Sequence, residues 1–308
     1  MPLQNKPHEA HPSLFQHAYL TSQPFLNKSA TQSHLLTSGY KTEGKEKHFH
    51  VRRMDSHVAE MHTTGLRSPV FFHILYGVCL CLGVLCVLFV SLWCVLWHGG
   101  FAWDGSDQQF NWHPVLMVSG LVVLYGLAAV IYRVPFTWKQ KKFTWKLVHA
   151  GLLLSALVLA VLGLCAVFDF HRAAGIPDLY SVHSWVGICT VVMFAFQWAL
   201  GFAGFLLPCF PRRLRTYLKP VHIWLGIAIL ILSLTSCISG INEKLFFSLN
   251  GVSGEAYKSL PAEATFANFL GILLVAFGLV VFGILSKAQW KRPETDESVY
   301  PLLSENGT

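Results

Sequence analysis

Charged residues are scarce in this chain of 308 residues, of which Asp, Glu, Lys and Arg make up only 13%. Soluble domains carry about a quarter charged residues. Together with 53% hydrophobic residues and a mean hydropathy of +0.48, this shortage excludes an ordinary soluble domain and indicates a membrane protein. The net charge of +7 does not indicate a nucleic-acid partner, because the Lys and Arg residues flank apolar segments and therefore report on membrane topology.

Regularly spaced cysteines are lacking as well. The eight cysteines form no CxxC motif, and only Cys209 lies in a predicted loop, the others being inside apolar runs. Structural zinc sites and disulfide frameworks depend on such spacing, so neither is indicated. The cysteines are explained as small apolar side chains that contact lipid or neighbouring helices.

Six apolar segments are each long enough to cross the roughly 30 Å hydrocarbon core of a bilayer as a helix. Because lipid offers no hydrogen-bond partner to the backbone, such segments fold as α-helices. We therefore predict an all-α membrane protein with six transmembrane helices, at residues 70–97, 113–132, 146–167, 183–207, 221–241 and 265–286. The transmembrane domain spans residues 69–287, between a polar extension at 1–68, expected to be disordered and cytosolic, and a cytosolic tail at 288–308.

The distribution of Lys and Arg predicts the orientation of these helices. Of the 23 Lys and Arg residues, 20 lie in the two terminal regions, between the second and third segments, or between the fourth and fifth. Only Arg172, Lys244 and Lys258 lie on the opposite side. By the positive-inside rule, both termini are then cytosolic.

Four histidines lie about one turn inside the ends of four predicted helices. His113 and His183 belong to helices that begin on the outer side, whereas His149 and His222 belong to helices that begin in the cytosol. Ionisable groups inside a bilayer are costly and are functional candidates by default. The histidines are thus sorted into two pairs, one pair at each face of the membrane.

Small residues follow each of these histidines by four or seven positions, which places them on the same helical face. They are Gly120, Ala156, Gly187 and Gly226. Two facing imidazoles suit a bis-histidine haem iron, and small residues leave room for the flat macrocycle. We predict that the second to fifth helices form a central four-helix bundle that holds two b haems and passes single electrons across the bilayer. His73, His98 and His171 lack this pattern and are expected at the membrane interface.

Five motifs lie in the predicted transmembrane domain: Phe110-Asn-Trp-His-Pro-Val-Leu-Met117, Tyr132-Arg-Val-Pro135, Leu179-Tyr-Ser-Val-His-Ser-Trp185, Leu218-Lys-Pro-Val-His222 and Ile238-Ser-Gly-Ile-Asn-Glu-Lys-Leu245. Through these motifs, the chain from about residue 70 to residue 303 resembles the cytochrome b561 family of ascorbate-dependent transmembrane reductases. The resemblance implies that cytosolic ascorbate donates electrons that reduce Fe(3+) to Fe(2+) on the lumenal side of late endosomes and lysosomes, and that the protein is a homodimer.

The resemblance also implies roles for individual residues. It implies that His113 pairs with His183, and His149 with His222, as axial haem ligands, and that Arg133 contacts the propionates of the inner haem. The residues implied beside the outer haem are Asp178, Leu179, Tyr180, Ser181 and Glu243, and those implied at cytosolic ascorbate are Lys142, Lys146 and Arg215. The family often has Asn at the position of Asp178.

The charges at the two faces agree with this direction of electron flow. Lys142, Lys146 and Arg215 precede the inner histidines by seven, three and seven residues, and a basic mouth would attract the ascorbate monoanion. The first outer loop carries Asp104 and Asp107 without Lys or Arg, which suits a cationic acceptor such as ferric iron.

Two alternatives stay open from the sequence. The same relay could reduce lumenal semidehydroascorbate, or the histidines could serve a haem-free transporter of protons or metal ions.

The C-terminal tail contains a candidate signal for location in the cell. Tyr300-Pro-Leu-Leu303 has the form of a tyrosine sorting signal. Such a signal binds adaptor proteins as an extended segment, and Pro293 and Pro301 keep the tail out of a helix.

Overall fold

Six long helices make up most of the described structure. The computed structural model describes the backbone of residues 43–252 and 254–293 and the side chains of residues 69–252 and 254–293. The helices are α1 (Glu43–His98), α2 (Asp107–Arg133), α3 (Lys142–Ala174), α4 (Val182–Leu206), α5 (Arg212–Ser248) and α6 (Ala262–Ser286). Each contains a stretch long and apolar enough to cross a membrane, which in α1 begins at Pro69. The predicted fold class is therefore confirmed.

The expectation of disorder over residues 1–68 is corrected for residues 43–68, which are helical and belong to α1. The sequence shows no amphipathic periodicity there, but this stretch contains no proline and is rich in Glu, Lys, His and Met, which helices tolerate well. Residues 1–42 and the tail beyond residue 293, including Tyr300 and Leu303, lie outside the described residues. The chain divides into two units, Met1–Val58 and Ala59–Thr308, and the fold below is that of the second.

Most of the helices extend beyond the predicted apolar segments. Helix α3 ends at Ala174 on Gly175, whose φ of 68° suits a residue without a Cβ. Helix α4 begins with a capping box in which Ser181 and Ser184 bond each other's backbone N–H groups. Apolarity marks only the part of a helix inside the hydrocarbon, so the polar turns at these ends were not predictable from hydropathy.

Helix α2 is not a uniform α-helix. Residues Val118–Leu124 form a π-helical turn, and Ile131–Arg133 close the helix as a 3-10 turn. A Cβ on Gly120, inside the π turn, would lie 2.8 Å from the carbonyl oxygen of Ala156. The glycine therefore lets the backbones of α2 and α3 approach closely, as small residues do in membrane helix pairs. Gly120 and Ala156 therefore contribute to helix packing, and the space for a macrocycle at these residues stays a prediction.

Helices α2 to α5 form the central bundle, and α1 and α6 pack outside it. Within the bundle, α4 packs mainly on α5, and α2 on α3, while α6 contacts α5 and α2. The aromatic pair Phe89 and Phe266, with ring centroids 4.8 Å apart, joins α1 to α6. Large apolar side chains such as Val84, Val192 and Leu279 remain exposed on the outside of the molecule, as expected where lipid replaces water.

A buried carboxylate joins α1, α5 and α6 at the end of the molecule that holds His113. Glu263 is only 7% exposed, and one of its oxygens, Oε1, lies 3.0 Å from Trp93 Nε1, 3.0 Å from His98 Nε2 and 3.3 Å from Ser248 Oγ. Helices α1 and α5 thus direct three polar groups at one acceptor on α6. His98 was expected only as an interface residue, and the structure gives it this specific partner.

Replacing Glu263 with Leu is expected to lower the thermal stability of the protein more than replacing it with Gln. Leucine leaves the buried Trp93 and His98 groups unpaired, which costs about 1–3 kcal/mol, whereas glutamine keeps an oxygen acceptor. Thermal unfolding of the purified protein in detergent measures the difference. Glu255→Gln is the control, because Glu255 is exposed, and equal melting temperatures for all three variants would contradict the assignment.

Candidate functional site

The four histidines meet in two pairs, at opposite ends of the bundle. The ring centroids of His113 on α2 and His183 on α4 are 6.1 Å apart, with the ring planes at 87°. Those of His149 on α3 and His222 on α5 are 6.4 Å apart, at 68°. The structure therefore brings together the same partners that the membrane orientation and the family resemblance indicated.

Three of the four rings are oriented by the backbone of a neighbouring helix. The Nδ1 atoms of His113, His149 and His183 lie 3.0, 2.9 and 2.9 Å from the carbonyl oxygens of Gly163, Ala128 and Ser236. A carbonyl only accepts, so Nδ1 carries the proton and Nε2 keeps a free lone pair. A hydrogen bond of this kind on the second ring nitrogen is the usual support of a metal-binding histidine.

The fourth ring differs from the others. Nδ1 of His222 is buried and has no hydrogen-bond partner among the described residues. Contacts hold this ring instead: Phe205 packs against it with a centroid distance of 5.2 Å, and Gly201 lies directly beneath it.

The spacing of each pair fits an iron held between two imidazoles. Two bonds of about 2 Å, plus about 1.1 Å from each ring centre to its nitrogen, give a centroid separation of about 6.2 Å. The observed separations of 6.1 and 6.4 Å match this value. A neutral imidazole with a free Nε2, as in His113, His149 and His183, is the donor that a bis-histidine haem requires.

Two glycines that the sequence analysis did not select make room for the histidine rings. A Cβ on Gly240 of α5 would lie 2.6 Å from Cε1 of His183, and one on Gly201 of α4 would lie 2.8 Å from Cε1 of His222. Each glycine follows the histidine of its own helix by 18 residues, which is five helical turns. That spacing, a glycine five turns below each histidine on α4 and α5, was the signal available in the sequence.

Gly187 on α4 and Gly226 on α5, which the sequence analysis selected as space for a macrocycle, face groups other than the histidine rings. A Cβ on Gly187 would meet Ser236 Oγ at 3.1 Å, and one on Gly226 would lie 3.6 Å from both Gln197 Nε2 and Tyr125 Oη. Gly187 is therefore an α4–α5 contact, and Gly226 faces two polar groups.

The two pairs are far apart along the bundle. His113 bonds Gly163, which follows His149 by 14 residues on α3. Fourteen residues of α-helix rise about 21 Å. The pairs therefore lie near the two ends of a roughly 30 Å span rather than side by side.

Arg133 contacts the end of α6 in this structure. Its Nη1 donates to the carbonyl of Lys287 at 2.8 Å and its Nη2 to that of Leu285 at 2.6 Å. Leu285 lies in the final turn of α6 and Lys287 directly follows its last residue, so the guanidinium caps the end of this helix. A contact with a haem propionate stays a prediction for this residue.

The residues predicted beside the outer pair form the rim of that end. Asp178 Oδ1 lies 3.1 Å from His171 Nδ1, Leu179 accepts a hydrogen bond from Trp185 Nε1, and Ser181 caps α4. Burial, and then the negative charge of Glu243, raise the pKa of Tyr180, so its phenol stays protonated.

A cation that the sequence analysis treated only as a topology signal also lies at this end. Lys244 Nζ is 4.5 Å from the ring centroid of Phe110, and the Phe110 ring lies 6.0 Å from that of His113. Lys244 on α5 thereby contacts the aromatic side chain that borders the outer pair.

Two of the three basic residues predicted at the inner face converge on the end of α4. Lys146 Nζ donates to the carbonyl of Phe205 at 3.2 Å, and Arg215 Nη2 to that of Leu207 at 2.6 Å. Arg215 Nε is buried without a hydrogen-bond partner among the described residues. Lys142, the first residue of α3, is exposed on the same end of the bundle. This arrangement can hold an anion next to His222.

Comparisons with known proteins give similarities over the membrane domain. The family model for eukaryotic cytochrome b561 matches residues 112–248, which include both histidine pairs. The chain is 55% identical over 247 residues to the lysosomal membrane ascorbate-dependent ferrireductase of Danio rerio, covering 79% of this chain and 100% of that protein. It is 58% identical over 213 residues to the Homo sapiens protein of the same name, covering 69% and 88%. The plasma membrane ascorbate-dependent reductase of Xenopus laevis is 44% identical over 227 residues, covering 73% and 79%.

Valine in place of Gly240 is expected to displace the His183 ring and to reduce bound haem to about half, because a Cβ cannot fit beneath the imidazole. Gly201→Val should act in the same way on His222 and the inner site. The haem-to-protein ratio and the spectrum of the remaining haem measure the effect. Gly271→Val on α6 is the control, because nothing lies within 4 Å of a Cβ at that position. Full haem content in both bundle variants would contradict the assigned packing.

Proposed function

The chain belongs to the cytochrome b561 family, and from this premise we propose that it is a transmembrane oxidoreductase, an ascorbate-dependent ferric reductase of the lysosomal membrane. The observation that carries the proposal is the pair of imidazoles at each end of the bundle, spaced for one iron between them. The family and the names of the relatives imply haem b and ascorbate as cofactor and electron donor. The proposal adds that each chain binds two haems.

The histidines would hold the haems as axial ligands, His113 with His183 and His149 with His222. A haem with two protein ligands carries single electrons and keeps no open position for oxygen or substrate. The chain's own contribution is orientation: backbone carbonyls bond three of the Nδ1 atoms, so those rings present Nε2 in a fixed direction. Helix α6 packs on α2 and α5, and helix α1 packs on α6.

Ascorbate would bind at the cytosolic end, between α3 and the loop that joins α4 to α5. Lys146 and Arg215 are anchored on the carbonyls of Phe205 and Leu207, respectively, which keeps their charges beside the inner pair. Arg215 is half-buried, and its guanidinium can make a charge-assisted hydrogen bond to an anionic oxygen. Lys142 adds an exposed positive charge that would attract the monoanion.

Ferric iron, free or chelated, would be reduced at the lumenal end. Asp104 and Asp178 are exposed there, and hydrogen bonds from Ser106 hold the pKa of Asp104 below its ordinary value. A carboxyl with a lowered pKa stays ionised further into the acid range, so Asp104 keeps its negative charge in an acidic lumen. This charge favours a cationic acceptor over semidehydroascorbate, which is an anion. Parallel acceptor assays in sealed vesicles distinguish the two.

The finer features of location and assembly are also proposals. The 20 Lys and Arg residues on one side support cytosolic termini. The Tyr300 to Leu303 segment supports delivery to late endosomes and lysosomes by adaptor proteins, and the family resemblance supports a homodimer. A haem-free transporter is the competing class, and the absorption spectrum of the purified protein decides between them.

Purified wild-type protein is expected to bind two haems per chain, and His113→Ala or His149→Ala is expected to bind one, because each removes one axial ligand of one site. Pyridine haemochrome assays against protein concentration give the ratio. His73→Ala is the matched control, since that exposed ring bonds the carbonyl of Pro69 in its own helix. A ratio of one in fully loaded wild-type protein would overturn the two-haem proposal.

Arg215→Ala is expected to raise the apparent KM for ascorbate about tenfold while leaving the haem spectrum unchanged, because it removes one charge-assisted contact. Lys142→Ala should raise KM less, since Lys142 is exposed. Arg213→Ala, an exposed cation two residues away, is the control for loss of positive charge. Unaltered ascorbate kinetics in the Lys142→Ala, Arg215→Ala double variant would mean that these charges only set topology.

A further inference from the structure

The histidine hydrogen bonds follow a common register with one exception. His113 and His183 bond the carbonyls of Gly163 and Ser236, each 14 residues after the histidine of the accepting helix. His149 bonds Ala128, 15 residues after His113, and the π turn of α2 accounts for the extra residue. By the same rule His222 would bond Gln197, 14 residues after His183. Its Nδ1 instead has no partner among the described residues.

Gln197 occupies that register position and contacts His222 in another way. Its side chain is 5% exposed, and Nε2 donates to the backbone carbonyl of His222 at 2.7 Å. One turn further along α5, the phenol of Tyr125 on α2 donates to the carbonyl of Gly226 at 2.9 Å. Two buried polar side chains from two different helices therefore hold successive turns of α5.

These two bonds differ from those of Thr190 and Ser233, two other polar side chains buried in the bundle. Thr190 and Ser233 bond carbonyls of Val186 and Ile229, four residues back in their own helices, and so tie nothing together. An amide and a phenol inside a bilayer are costly unless they are paired, and such groups are functional candidates by default. The cross-helix bonds of Gln197 and Tyr125 converge on one element, the segment that bears His222.

That segment of α5 is intrinsically weak. Pro220 lies inside the helix, two residues before His222. Proline has no N–H, so the carbonyl of Thr216 loses its helical donor, and the ring strains the turn that precedes it. A histidine placed just after such a turn, and lacking a bond on its own Nδ1, needs support from outside the helix.

We propose that Gln197, assisted by Tyr125, is the positioning residue of the inner site: it holds the α5 backbone at His222 and thereby sets the angle at which the imidazole faces the iron. The proposal rests on the proposed bis-histidine haem at this site. Gln197 takes the place of the Nδ1 bond that the other three histidines have. The ring of Tyr125, packed edge-on against Phe194 at 5.0 Å, directs the phenol at Gly226.

The test compares Gln197→Leu and Tyr125→Phe with wild type in the full-length, haem-loaded protein. Electron paramagnetic resonance reports the angle between the two imidazole planes of each low-spin haem, and redox titration reports the two midpoint potentials. We expect Gln197→Leu to change the signal and the potential of the inner haem while the outer haem is unchanged. Tyr125→Phe, which keeps the ring, should give a smaller change at the same haem. Hydrogen exchange of the backbone amides after Pro220 should become faster in both variants.

Thr190→Val is the matched control, because it removes a buried hydroxyl of α4 that bonds within its own helix. A general packing defect would lower the melting temperature and disturb both haems equally. Unchanged inner-haem signals and amide exchange in both Gln197→Leu and Tyr125→Phe would overturn the proposal. If Gln197→Leu does not fold, Tyr125→Phe alone carries the same test. Failure of the underlying function is distinct, because wild type itself would then lack two bis-histidine signals.

Discussion

The absence of water inside a bilayer is the constraint on which the rest of this structure depends. A histidine ring buried there needs an acceptor for its Nδ1 proton, and the nearest acceptors are carbonyls of neighbouring helices. Each carbonyl already accepts a helical N–H, but its second lone pair remains free. His113, His149 and His183 use this lone pair. The same hydrogen bond therefore fixes both the orientation of the ring and the axial offset between the two helices.

The common register also bears on how the helices cross. On a given helix, the histidine and the carbonyl that bonds a histidine of another helix are usually 14 residues apart. Fourteen residues are two heptads. A face that repeats every 3.5 residues stays in contact only if the helices wind around each other with a left-handed twist. The glycines at 18 residues follow the 3.6-residue period of a straight helix instead. A Cβ on Gly201 or Gly240 would collide with the histidine ring of the neighbouring helix.

Much of this was predictable from the sequence, because hydropathy and charge act on whole segments. Six spans, and the two-and-two arrangement of histidines, follow from length, apolarity and Lys and Arg placement. The contacts of single atoms do not. Arg133 caps α6 and Glu263 joins three helices, and both depend on which helices lie side by side. The contact of Gly120 with the backbone of α3 was not predicted, because residues on one face of one helix look alike until the neighbouring helix is in place.

The ends of the helices and the first part of α1 were also not predictable from the sequence pattern. Periodicity indicates a helix when one face meets water and the other a core, but a helix surrounded by lipid is apolar on all sides. Where α1 continues back to Glu43, neither an apolar run nor an amphipathic pattern marks it. Exposed apolar residues on the described lipid-facing surface, such as Val84 and Leu279, do not indicate which helices pack against each other.

The π turn at Val118–Leu124 divides α2 into two rotational frames. One additional residue within a helix turns everything after it by about 100° relative to an uninterrupted α-helix. His113 lies in the first frame, and Tyr125, Ala128 and Tyr132 lie in the second. The outer end of α2 can therefore be aimed at α4 while its inner end is aimed, separately, at α3 and α5. A single helix thereby meets the angular requirements of both membrane faces, and a residue inserted or removed within this turn would put the two faces out of phase without changing either one locally.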